Sequence, residues 1–130
     1  NTSNSSRSDL NVAQHQICYY FASKGAKQDK DQNKTDVKEK AQKYLQAGKG
    51  CFKAQDFKGA IEAFSEAIKL DSYNHVFYSN RSACYAALDQ FEKALTDAEQ
   101  CVKLKPDWAK GYDRRASAFL GLGNYKDALL

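Results

Sequence analysis

From Val37 onward the apolar and small residues recur at helical spacing, in two kinds of stripe that alternate along the chain. Tyr44, Ala47, Gly48, Cys51 and Phe52 make one; Phe57, Ala60, Ile61, Phe64, Ala67 and Ile68 make the next, with Gln55 and Asp56 between them as a turn. The same pair returns at about His75 to Leu88 and Phe91 to Leu104, where Pro106 ends it because proline cannot continue a helix. A third pair begins near Ala109, turns at Gly123 and Asn124, and is cut after six residues of its second helix at Leu130. The repetition has a period of 34 residues: Tyr44, Tyr78 and Tyr112; Cys51, Tyr85 and Phe119; Phe57, Phe91 and Tyr125; Ala60, Ala94 and Ala128. Gly48, Ser82 and Ala116 share that spacing, and their small side chains let the two helices of a pair approach closely. The expected fold is all-α, about two and a half antiparallel helix pairs with no strand. Asn1 to about Thr35 is mostly Ser, Asn, Gln, Lys and Asp, too polar to offset its ordering entropy by burial, so residues 1–35 are expected to be disordered and residues 36–130 folded. Asp36, with Glu39 three residues on, has the spacing of a capping box and predicts that the first helix starts near Val37.

Composition narrows the function. With 42% apolar and 28% charged residues the chain reads as an ordinary soluble domain, and no apolar run approaches the ~20 residues that cross a bilayer. Twenty basic against sixteen acidic residues leave a net charge of +4, spread thinly along the chain, so no nucleic-acid footprint is expected. Cys18, Cys51, Cys84 and Cys101 include no Cys-x-x-Cys pair and no His at metal-ligand spacing. Cys51, Cys84 and Cys101 are expected to be buried, reduced packing thiols of a cytoplasmic protein, with nuclear residence compatible, and neither a metal nor another cofactor is expected. No Gly-rich phosphate loop occurs, and His15 and His75 lie in unrelated surroundings with no nucleophile spaced to pair with them, which argues against an enzyme.

The candidate binding chemistry lies on the first helices of the second and third pairs. Asn80 and Arg114 are 34 apart, hence at equivalent points of successive helices; Lys110 and Arg114 are four apart, hence on one helix face. Two cations and an amide that converge suit a ligand with two neighbouring carboxylates, such as a peptide that ends in Asp.

The period and its offsets, with Gly48, Phe64, Ala67, Cys101 and Pro106 in place, resemble the tetratricopeptide repeat (TPR). That resemblance implies a right-handed superhelix whose concave face is lined by the first helix of each pair. The segment 64–111, FSEAIKLDSYNHVFYSNRSACYAALDQFEKALTDAEQCVKLKPDWAKG, is similar to the first TPR domain of the Hsp-organising cochaperones, and the similarity extends over about residues 40–130. The family implies binding of the Glu-Glu-Val-Asp carboxyl tails of heat-shock proteins 70 and 90 through a carboxylate clamp. Asn80, Lys110 and Arg114 match three of its five positions, while Ala83 and Ala86 match small groove residues that contact the peptide. The first repeat departs from the pattern, with Leu45 where the clamp has Lys and Lys49 where it has Asn. Lys49 still donates, as a flexible point charge. Leu45→Lys is expected to restore a missing cation. Two other readings of the same repeats are a domain that delivers an attached phosphatase or prolyl isomerase to a chaperone, and an assembly scaffold that takes an internal partner segment.

Overall fold

The computed structural model of the protein describes residues 32–124. The chain divides into two compact units, Asn1–Asp36 and Val37–Leu130. Of the first unit the described residues are 32–36, which are helical; the expectations for residues 1–31, Cys18 included, and for the helix after Asn124 lie outside the described residues.

The described residues form five helices in order: α1 over residues 32–53, α2 Phe57–Leu70, α3 His75–Ala87, α4 Phe91–Leu104 and α5 Ala109–Gly121. No strand occurs among the described residues. The expected start at Val37 is corrected, because α1 is already helical at residue 32. Asp36 acts there as a mid-helix residue: its carboxylate accepts from Gln32 Nε2 at 3.4 Å, one turn back, and neither Pro nor Gly stands between them to stop the helix.

The later boundaries follow from local chemistry. Asp56 caps α2, its Oδ1 accepting from Gly59 N at 3.0 Å, and Asn74 caps α3, its Oδ1 accepting from Val76 N at 3.0 Å. The turns inside the pairs reuse one backbone device at the repeat interval, since Gln55, Asp89 and Gly123 all sit at positive φ, at 62°, 58° and 79°. The recurring tyrosines also do one job twice. Tyr78 OH donates to Ser72 O at 2.9 Å and Tyr112 OH to Pro106 O at 2.7 Å, which ties each first helix to the loop that precedes it.

Packing is tightest around Phe64 and Phe77, both fully buried among Ala41, Leu45, Ala60, Ala67 and Cys84. Burying each ring is worth about 2–3 kcal/mol. The small repeat positions are where the helices meet: a Cβ on Gly48 would overlap the ring of Phe64, and Ser82 Oγ donates to Ala94 O at 2.7 Å. α3 lies at the centre, in contact with α2, α4 and also α5, so the first helices of successive pairs are neighbours. One polar cluster locks the second pair. Arg81 donates from Nε and Nη2 to the two oxygens of Asp97 at 2.7 and 2.8 Å and from Nη1 to Ser65 Oγ at 3.1 Å, which joins α2, α3 and α4.

Candidate functional site

The side chains of α1, α3 and α5 that escape this packing meet in a cleft of about 280 Å³, lined by Lys49, Phe52, Lys53, Phe64, Asn80, Ala83, Lys110 and Arg114. Helical spacing explains the set. Lys49, Phe52 and Lys53 share one face of α1; Asn80 and Ala83 share one of α3; Lys110 and Arg114 share one of α5. Phe64 reaches the cleft from α2 because Gly48, above it, has no side chain to cover its ring.

Polar groups in this cleft lack anionic partners among the described residues. Asn80 Nδ2 is buried and has no hydrogen-bond acceptor among the described residues. An amide donor out of contact with water and without an acceptor costs roughly 1–3 kcal/mol. Arg114 donates from Nε to the buried Ser79 Oγ at 3.3 Å, a long bond to a neutral oxygen that fixes the guanidinium plane without neutralising it. None of Lys49, Lys53, Lys110 and Arg114 forms an ion pair among the described residues, and no acidic side chain lines the cleft.

Under the cleft lie thiols. Burial pushes Cys84 up to about 11, against a smaller opposing pull from Arg114, and burial likewise raises Cys101. Neither is a thiolate near neutral pH, so neither offers a nucleophile there. Cys84 and Cys101 are free and buried as expected; Cys51 is free and packs against the core as expected, but is half-buried instead of buried. Among the described residues no cluster of His, Cys, Asp and Glu could hold a metal ion. No helix among them is long and apolar enough to cross a membrane.

Of the expected site residues, Asn80, Lys110, Arg114, Lys49 and Ala83 are brought together, whereas Ala86, half-buried one turn further along α3, is outside the cleft lining. Leu45 requires a correction. It is 6% exposed and packs in the core with Ala41 and Phe64, so it presents no empty groove position for a cation to fill. Leu45→Lys would bury an ammonium among apolar side chains, and the expected gain in binding is withdrawn. Phe52, Lys53 and Phe64 were not anticipated as cleft residues, although Phe52 and Lys53 are three and four positions from Lys49, a relation visible in the sequence.

Comparison with known proteins places this geometry. Residues 4–120 match the family described as "Serine/threonine-protein kinase BSK1-like, TPR repeats". The chain is 50% identical over 97 residues to "Heat shock protein STI1" of Saccharomyces cerevisiae, an alignment that covers 68% of this chain and 16% of that protein. It therefore spans about a sixth of the length of that curated relative. Among solved structures it is similar to the "TPR2B-domain:pHsp70-complex of yeast Sti1" (32% identity, TM-score 0.68, 69% of this chain and 72% of that one). It is similar also to the "First TPR of Spaghetti (RPAP3) bound to HSP90 peptide SRMEEVD" (30% identity, TM-score 0.68, 70% of this chain and 72% of that one). The 34-residue period, the paired helices and the matched family agree: the chain belongs to the tetratricopeptide-repeat family.

Proposed function

We propose that the chain is the protein-interaction module of a cochaperone, and that its cleft binds the acidic carboxyl-terminal tail of a heat-shock chaperone, of the Glu-Glu-Val-Asp type. The observation that carries this reading is the cleft's unmet demand for anionic oxygen. Among the described residues a buried amide donor at Asn80 has no acceptor, and Lys49, Lys110 and Arg114 line the same cleft without a carboxylate partner. A terminal Asp supplies two carboxylates on adjacent bonds. Lys110 and Arg114 grip them and Asn80 donates to one oxygen, while the apolar surface of Ala83 and Phe52 accommodates the neighbouring Val. The solved relatives held with chaperone peptides support the same ligand class, Hsp70 or Hsp90.

The chain works by binding and not by catalysis in this reading, without cofactor, nucleic acid or membrane, in the cytoplasm or nucleus where its free thiols stay reduced. The matched family description, which names the TPR repeats of a kinase-like protein, favours a second reading in which the same cleft targets an attached enzyme to the chaperone.

Calorimetric titration with a Glu-Glu-Val-Asp peptide and its carboxyl-amidated twin tests the ligand. Loss of one charged contact of about 1.5–3 kcal/mol makes the amidated peptide ten- to a hundredfold weaker, and raised salt weakens the free acid. Equal binding of the two peptides contradicts the reading and points to a scaffold that takes an internal segment.

A further inference from the structure

Lys53 has no counterpart among the five clamp positions that the family resemblance assigns to residues 45, 49, 80, 110 and 114, yet it lines the same cleft. It lies four residues beyond Lys49 and so on the same face of α1, one turn or about 6 Å further along the axis. Its neighbour Phe52 is held edge-to-face against Phe57, ring centroids 5.4 Å apart, which anchors the end of α1 that carries both lysines.

The charge count in the cleft is then four cations, Lys49, Lys53, Lys110 and Arg114, with no acidic side chain in the lining. A terminal Asp brings two negative charges, which leaves two cations uncompensated. Like charges gathered in one cleft repel one another and raise affinity for a ligand that brings more anionic groups. An extended peptide rises about 3.3 Å per residue, so with the terminal Asp held between α5 and Lys49, a site one helical turn beyond Lys49 is about two residues along the peptide from it.

We propose that Lys53 is a specificity-determining residue that pairs with a third carboxylate, an acidic side chain of the bound tail upstream of its terminal Asp. This rests on the carboxyl-tail reading above and deepens it. The first repeat thereby differs from the family clamp in kind: its cations at positions 49 and 53 stand one and two turns beyond the apolar Leu45, and they select tails with acidic residues before the end.

The test is a double-mutant cycle by calorimetry on the 130-residue chain, with Lys53→Ala against two peptides, Glu-Glu-Val-Asp and Gln-Gln-Val-Asp, both with free carboxyl termini. Lys53 is exposed, so its truncation leaves the core untouched. The expected result is that Lys53→Ala weakens the glutamate peptide about two- to fivefold and leaves the glutamine peptide unchanged, with Lys53→Arg retaining the preference. If Lys53→Ala changes neither peptide, or weakens both equally, Lys53 pairs with no tail side chain and the inference is overturned while the carboxyl-tail reading stands. If neither peptide binds the unaltered chain, both are overturned.

Discussion

Asn80 and Arg81 are neighbours in α3 and project from it about 100° apart, one to the cleft and one to the packing with α2 and α4, and the two sides follow different rules. Behind the helix every strong group of Arg81 is answered: two bonds to Asp97, one to Ser65, and the rings of Tyr78 and Tyr85 each 5.8 Å from its guanidinium carbon. On the cleft side, among the described residues, the amide of Asn80 has no acceptor and the guanidinium of Arg114 has one long bond to a hydroxyl. A fold consumes its polar groups where they hold helices together and leaves them unanswered where something else is to be bound. The first arrangement contributes to stability; the second costs some, which a ligand returns.

The sharpest break of this contrast is Arg81→Ala. Asp97 is 4% exposed, and without its partner a buried carboxylate remains, so the variant loses about 3 kcal/mol or more of unfolding free energy in a denaturant titration. A loss below about 1 kcal/mol would show that the back of α3 is no more committed than its front. Arg114→Ala is the mirror experiment. Among the described residues it removes a group bound to Ser79 alone, so the melting temperature moves little while affinity for a Glu-Glu-Val-Asp peptide falls ten- to a hundredfold or below detection. A large stability loss with unchanged binding would reverse the assignment of the two sides.

Smaller effects are expected from the thiols beneath the cleft. Burial raises Cys84 from 9.0 to about 11, so between these values the unfolded chain has released a proton that the folded chain keeps, and stability falls as pH rises through this window. Cys84→Ala flattens that fall, and below pH 9 the two proteins share one pH dependence. Alkylation near pH 8 sharpens the same point: half-buried Cys51 reacts first, and Cys84 and Cys101 react only as fast as the protein opens. Simultaneous fast modification of all three would mean that the helices do not pack as described.

What could be read from the sequence was whatever the 34-residue period carries. It put Asn80 and Arg114 at equivalent points of successive helices, fixed α3 and α4 to within a residue, and marked Gly48 and Ser82 as points of close approach. Its failures fall where the period says nothing. Asp36 and Glu39 have capping-box spacing, but a box does not break a helix that has no Pro or Gly before it, and α1 is helical from residue 32. Leu45 was given a groove position by family register, although Ala41, Leu45 and Gly48 form their own stripe at i, i+4, i+7, and that stripe is the buried one. Lys53 was passed over because no motif names it, despite its place one turn beyond Lys49. The Arg81–Asp97–Ser65 cluster was out of reach: its members are 16 residues apart on three helices, and only their packing brings them together.

The central claim is that the buried amide of Asn80 waits for an anionic acceptor, and nitrogen-15 NMR of its side-chain NH₂ during titration with a Glu-Glu-Val-Asp peptide reads it most directly. The account predicts that this resonance is among the most strongly shifted in the spectrum, downfield in its proton dimension as it gains a charged acceptor, and that an amidated peptide leaves it nearly unmoved. A peptide that binds while the Asn80 side-chain resonance stays in place would contradict it.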